Sequence, residues 1–277
     1  MKGIVWLTSY PKSGNTWFRA FLTNLRNGRD EPADINKLDH FNFASRHVFD
    51  AALGWETSDF CPETINSLRV PVQEALAHEE EIFFKVHEAF VHPETGAALF
   101  SGRATRAALY FIRDPLDVAV SYSNHRGEDI DATIRKMNDR SAHLAATPTE
   151  MKMQVIQPLG DWSWHVRSWV DAPGLRIHVV RYEDMLARPL EVFAGACRFA
   201  GLPDDSARVA RALEQSRFEE MQRQEKAKGF REALASDRQF FRHGRAGMGR
   251  ELLSPAQMAS IVTAHGEVMR RFGYLAP

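Results

Sequence analysis

Four short, mainly apolar runs punctuate the chain: Gly3 to Leu7, Ile82 to Val86, Ala108 to Ile112 and Ile177 to Val180. Their length and their polar boundaries predict strands of a parallel sheet buried on both faces. Between them apolar residues recur at helical spacing, first at Phe18, Phe21, Leu22 and Leu25, then over Thr64 to Ala77, Leu116 to Ser123 and Trp162 to Val170. Pro173-Gly174 stops the last of these. The alternation predicts an α/β fold, a P-loop-like parallel sheet flanked by helices on both faces, with ligands gathering at the carboxyl ends of the strands. Leu190 to Phe199 and Phe218 to Glu225 follow, then a loop over Gly229 to Leu253. A helix that Ser254-Pro255 starts and Gly273 ends closes the pattern.

Two stretches lack such periodicity. Ile35 to Phe60 reads as loop but holds Phe41, Phe43, Phe49, Trp55 and Phe60, expected to anchor it as satellite core. Gly127 to Pro158 is polar and then rich in Ala, Thr and Met, the composition of a mobile flap. This flap and the loop Gly229 to Leu253 are expected to be the least ordered regions without acceptor.

At 277 residues, with no internal repeat and no low-complexity tract, the chain is read as one domain, 1–277. Lys and Arg number 35 against 36 Asp and Glu, so charge makes no case for a nucleic-acid or membrane partner. Any anion must be held locally. Cys61 and Cys197 make neither a disulfide framework nor a metal cluster. With no secretory h-region after Met1-Lys2 and no apolar segment of bilayer length, the expected location is the cytoplasm.

The candidate chemistry sits between the first strand and the first helix, in Ser9-Tyr10-Pro11-Lys12-Ser13-Gly14-Asn15-Thr16-Trp17. A helix N-terminus presents backbone N–H groups and the positive end of the dipole, which suits a phosphate. Set against G-x-x-x-x-G-K-[ST], Gly14 and Thr16 fit. Ser9 replaces the first glycine, Asn15 replaces the lysine, and Lys12 lies inside the loop, so a strict kinase reading fails. The plain alternative is a turn capped by Ser13 with no ligand. The other strand ends add Lys85 and His87, Arg113, then Arg181 and Tyr182, a cationic and aromatic edge that points to an anionic, ring-bearing ligand.

Six segments in order then resemble the cytosolic-type sulfotransferases that use 3′-phosphoadenosine 5′-phosphosulfate. They are Tyr10 to Trp17, Phe84-Lys85-Val86-His87, Ile112-Arg113-Asp114-Pro115 with Ser121, Tyr182-Glu183-Asp184, Ser216 to Met221, and Arg242-His243-Gly244-Arg245-Ala246-Gly247. The resemblance implies that Lys12 neutralises charge on the leaving 5′-phosphate, while Ser13, Gly14, Asn15 and Thr16 hold that phosphate. It implies that Trp17 and Phe218 sandwich adenine, and that Tyr182, Ser216 and Met221 complete its pocket. Arg113, Ser121 and Arg242, with the backbone at Gly244, would clamp the 3′-phosphate. Lys85 and His87 would face the transferring group, His87 as general base.

Three departures stand out. Met248-Gly249 replace an acidic residue and tryptophan, which predicts looser packing of that loop on the nucleotide. His243 takes a place usually held by lysine. The family's dimer-forming motif is not recognisable across Arg250 to Ala259, leaving oligomeric state open. The implied activity is metal-free transfer of a sulfuryl group to a hydroxyl of a small or medium-sized acceptor, with the loop aromatics favouring an aromatic or lipid-like one. A metal-dependent P-loop kinase and a non-catalytic nucleotide-binding protein are the alternatives; Lys85 with His87 argues against both.

Overall fold

The computed structural model describes residues 3–38, 42–77, 81–145, 152–234 and 239–276. In chain order the elements are β1 (Gly3–Ser9), α1 (Asn15–Asn27), a 3₁₀ turn (Ile35–Lys37), α2 (Arg46–Leu53), α3 (Pro62–Leu76), β2 (Glu81–Val86) and β3 (Thr105–Ile112). Next come α4 (Pro115–Arg126), α5 (Ile130–Met137), β4 (His143–Leu144), β5 (Gln157–Pro158), α6 (Trp162–Val170) and β6 (Ile177–Arg181). The chain continues with α7 (Tyr182–Ala187), α8 (Pro189–Ala200), α9 (Ser206–Gln215), α10 (Phe218–Lys228), α11 (Met248–Leu252) and α12 (Pro255–Arg271). The fold is α/β, a central parallel sheet flanked by helices.

The sheet has the order β2-β1-β3-β6. β1 and β2 run parallel, with Gly3 opposite Glu81 and Thr8 opposite Val86. Because β2 and β3 lie on opposite sides of β1, the strand order reverses beside β1, where sheets of this kind open a crevice at their carboxyl ends. All four predicted strands form. β1 is buried along its whole length, as its unbroken apolar pattern requires.

The chain divides into two compact units. The first is Met1–Tyr10, His40–Tyr110 and Lys136–Val179; the second is Pro11–Asp39, Phe111–Arg135 and Val180–Pro277. In the first, Trp6 on β1 is the centre of an aromatic core, its ring 5.3 Å from Phe43, 6.0 Å from Phe84 and 4.8 Å from Phe100. Phe43 in turn meets Phe49 at 5.3 Å, so these two loop aromatics are core anchors, whereas Trp55 is exposed and Phe41 lies outside the described residues. In the second, Phe18 of α1 packs at 5.0 Å on Phe111 at the end of β3 and at 5.6 Å on Phe193 of α8.

Several elements appear where the sequence pattern predicted none. The stretch read as a flap contains α5, β4 and β5, with 146–151 outside the described residues. Ile130, Ile134 and Met137 recur at helical spacing there, and the last two are buried; the polar residues between them mask the signal. α2 lies in the segment read as loop, and α11 in the loop from Gly229 to Leu253, of which 235–238 are outside the described residues. The Tyr182-Glu183-Asp184 turn is the first turn of α7. Among the described residues no helix is long and apolar enough to cross a membrane.

Candidate functional site

The loop after β1 enters α1 through a sharp turn. Lys12 takes the left-handed conformation at φ 67°, a strained choice for a side chain with a Cβ. Gly14 caps α1 at φ 102°, where a Cβ would come within 3.0 Å of the Tyr182 ring. No side chain caps this helix: Ser13 is buried and its Oγ has no hydrogen-bond partner. The plain reading of a Ser13-capped turn is therefore wrong. A buried hydroxyl left unpaired beside a helix N-terminus suits an incoming anion. The Lys12 ammonium stands 3.2 Å from the centre of the Phe240 ring.

Arg113, just past β3, ties this loop to two others. Its Nη1 donates to the Lys12 carbonyl at 3.3 Å, its Nη2 to the Arg245 carbonyl at 3.1 Å and to Asp117 Oδ2 at 3.4 Å. Its guanidinium lies 4.3 Å from the Tyr182 ring centre, and its buried Nε has no partner. Asp114 starts α4 by accepting from Leu116 N–H at 3.0 Å, with Pro115 at the first helical position. Burial pushes the Asp114 carboxyl up, against the pull of Arg250 at 2.5 Å.

Asp117 is a residue the sequence reading missed. Its carboxylate accepts Gly247 N–H at 2.9 Å and Gly249 N–H at 2.7 Å, anchoring the end of the glycine-rich loop at Met248-Gly249. Ser121 follows one turn along α4, half-buried, and Asn124 beyond it accepts from Arg242 Nη1 at 3.1 Å. Arg242, Ser121 and Arg113 are thus tied to one stretch of chain. His243 is exposed; slight burial and then the charges of Arg242, Arg245 and Arg113 lower its pKa. At the other end of the loop Glu225 accepts Phe240 N–H at 2.6 Å and Phe241 N–H at 2.9 Å. Glu225 was also unforeseen, since a single acid on a polar helix gives no sequence signal.

The aromatic residues expected around a base come together in the same unit. Trp17 lies 6.3 Å from Tyr182 and 5.2 Å from Phe193, and its buried indole Nε1 has no partner. Trp17 and Phe218 both pack against a cluster containing Met221, Phe230 and Phe241. Gly244, at φ 61°, lies so close to Phe218 that a Cβ there would meet the ring at 2.5 Å. Ser216 is fully buried, and its Oγ donates to the Ala212 carbonyl at 2.8 Å, which leaves its lone pairs to accept from a donor.

In the first unit, Lys85 and His87 alternate with the buried Phe84 and Val86 and are themselves half-buried, as strand periodicity requires. Lys85 sits opposite Leu7, and its carbonyl accepts Phe43 N–H at 3.1 Å. His87 Nδ1 lies 2.8 Å from the Ser9 carbonyl. A carbonyl only accepts, so Nδ1 bears the hydrogen, and neutral His87 keeps its lone pair on Nε2. Among the described residues no group of three or more His, Cys, Asp or Glu is placed to hold a metal ion.

Comparison with known proteins bears on the family and the fold of the chain. A family model described as the sulfotransferase domain matches residues 2–273. Luciferin sulfotransferase of Photinus pyralis is 26% identical over 226 residues, 78% of this chain and 55% of that protein, so the chain spans about half the length of the curated relative it matches. Among solved structures, mouse sulfotransferase SULT7A1 complexed with PAP superposes with a TM-score of 0.60 at 18% identity, over 98% of this chain and 85% of that one. Retinol dehydratase in a complex with retinol and PAP gives 0.63 at 17% identity, over 96% and 81%. These last two likenesses establish the shared fold. With the family model matched over nearly its whole length, the chain belongs to the sulfotransferase domain family.

Proposed function

We propose that the protein transfers a sulfuryl group from 3′-phosphoadenosine 5′-phosphosulfate to a hydroxyl of a small organic acceptor, and that residues 1–277 act as one sulfotransferase domain. The observation that supports this best is the second unit's cradle. Buried polar atoms without partners, Ser13 Oγ, Arg113 Nε and Trp17 Nε1, occur together with an ammonium on Lys12 and the N-terminus of α1. The chemistry of that donor set, cationic and N–H or O–H bearing at the loop and aromatic beside it, fits a nucleotide with phosphates at both ends of its ribose. The donor supplies a sulfuryl group on a phosphate leaving group.

Ser13, Gly14, Asn15 and Thr16 bind the 5′-phosphate through hydroxyl and backbone N–H groups. Trp17 and Phe218 hold adenine with Tyr182, Ser216 and Met221, while Arg113, Ser121, Arg242, His243 and the Gly244 backbone take the 3′-phosphate. His87 Nε2 receives the acceptor's hydroxyl proton as the new S–O bond forms. The old S–O bond breaks with its electron pair on the 5′-phosphate, where the Lys12 ammonium offsets the charge. Lys85 adds a second positive charge near the transferring group. The acceptor is proposed as an alcohol or phenol, since the named relatives are a luciferin sulfotransferase and a protein crystallised with retinol. The kinase alternative is not favoured by any of these findings.

The test is a comparison of thermal stabilisation by 3′-phosphoadenosine 5′-phosphate and by ADP. The first is expected to raise Tm far more, because only it engages the Arg113 clamp. Equal shifts would sink the donor assignment.

A further inference from the structure

Beyond β2 the chain leaves the sheet ladder at His87, and side chains of the first unit take over its peptide groups. His87 N–H donates to Glu88 Oε2 at 3.1 Å. The His87 carbonyl accepts from His165 Nε2 at 3.0 Å, and the Glu88 carbonyl from Trp169 Nε1 at 2.8 Å. The Glu88 carboxylate is held by Arg69, whose Nη1 is 2.8 Å from Oε1, with both side chains wholly buried. Arg69 also donates to Asn66 Oδ1 and to the Ile156 carbonyl. A buried ion pair contributes little net stability once desolvation is counted, so its place next to His87 calls for a reason other than stability.

Acceptor-only groups decide the hydrogens. His165 Nε2 faces the His87 carbonyl and must bear hydrogen, so its Nδ1 accepts from the Tyr110 hydroxyl, 2.7 Å away. Desolvation drives His165 down to about 3 and Tyr110 well above the usual phenol range. Both stay neutral across the working range, and the direction of these bonds does not change with pH. His87, with its hydrogen on Nδ1 toward Ser9, is the opposite tautomer.

We infer that His165, oriented by Tyr110, is a positioning residue for His87: its Nε2–H holds the His87 carbonyl, keeps the ring against the Ser9 carbonyl, and so keeps Nε2 of His87 as the proton-accepting atom. The inference rests on the reading of His87 as the general base. A base displaced by about 1 Å loses on the order of a hundredfold in rate, and a ring freed from Ser9 can place hydrogen on Nε2, which then cannot take a proton.

The experiment uses His165→Leu, which has no donor, His165→Gln, whose amide restores one near the Nε2 position, and Tyr110→Phe. Imidazole ¹⁵N spectra of the ligand-free protein report the His87 tautomer, and assays with sulfate-labelled donor and a phenol report kcat and KM. The wild type is expected to show hydrogen on His87 Nδ1. His165→Leu should mix the tautomers and lower kcat by about tenfold to a hundredfold with donor KM unchanged, and His165→Gln should recover most of both. A His87 Nδ1–H signal that persists in His165→Leu, or one absent from the wild type, overturns the inference. Should the leucine variant fail to fold, Tyr110→Phe, smaller by one oxygen, is read by the same spectra and must show the same mixing. His87→Ala separates the two readings. If it keeps normal turnover, the base assignment falls and the positioning role with it. If it loses turnover while the His165 and Tyr110 variants behave as wild type, only the positioning role is overturned.

Discussion

Arg113 reaches four partners with one guanidinium: the Lys12 and Arg245 carbonyls, Asp117 and the face of Tyr182. Arg113→Ala is expected to weaken 3′-phosphoadenosine 5′-phosphate binding by about 1.5 to 3 kcal/mol, the usual loss for a hydrogen bond to a charged group. Calorimetric titration checks this, and unchanged affinity would remove Arg113 from the clamp. His243 makes a second prediction. Without ligand, slight burial and the neighbouring Arg242, Arg245 and Arg113 lower its pKa, with Glu251 pulling the other way, so it is neutral at pH 7. A phosphate dianion beside it raises that pKa, so binding takes up a proton and affinity should rise as pH falls from about 8 to about 6.5. Below about 6 the phosphate itself starts to protonate and the gain ends. His243→Gln should flatten the profile; an equally steep one would place His243 outside the site. At this scale the candidacy of Arg113 and His243 for the phosphate clamp was legible from their motif. The backbone bond that occupies Ser216 was not, because it depends on where α9 ends.

The glycine-rich loop is the element on which sequence and structure differ most. Its sequence, with Gly244, Gly247 and Gly249, predicts a mobile segment, yet buried carboxylates hold it at both ends, Glu225 through Phe240 and Phe241 and Asp117 through Gly247 and Gly249. Hydrogen exchange on ligand-free protein is therefore expected to show these four amides slowed well beyond the exposed turns. Asp117→Ala should release Gly247 and Gly249 while leaving Phe240 and Phe241 protected. Rapid exchange of all four in the wild type would contradict this account. The four sheet strands and most of the longer helices were legible because their periodicity is local, whereas α9 was not predicted. α5 was not, since only two of its apolar positions find a core, and which two is a tertiary matter.

For the molecule as a whole, His165 links the candidate site to stability. Its folded pKa, about 3, lies below the ordinary histidine value of 6.5 because burial disfavours the charged ring. Unfolded chain therefore takes up a proton that folded protein refuses. His165's contribution to stability is fully present above pH 6.5 and is lost progressively as pH falls toward 3, by about 1.4 kcal/mol per pH unit. Asp114 and Glu183, whose pKa values burial raises, act with the opposite sign over the carboxylate range, so the contribution is read from the difference between wild type and His165→Gln. Urea unfolding at a series of pH values should show that difference narrowing with acid. A constant difference would mean that His165 accepts a proton when folded.

What the amino-acid sequence determined by itself was the α/β class, the four strands, the loop at Lys12 to Thr16 and the order of the six segments that carry the family resemblance. These are properties of short segments, set by side-chain periodicity and by the residue types a phosphate requires. What only the tertiary structure decided was how buried polar groups are shared. Ser13 keeps an unpaired hydroxyl, Ser216 donates its hydroxyl to a carbonyl, Asp117 and Glu225 take loop amides, and His87 and His165 are opposite tautomers. Each of those outcomes depends on which donor faces which acceptor across separations of up to 132 residues, and no local pattern encodes such a pairing.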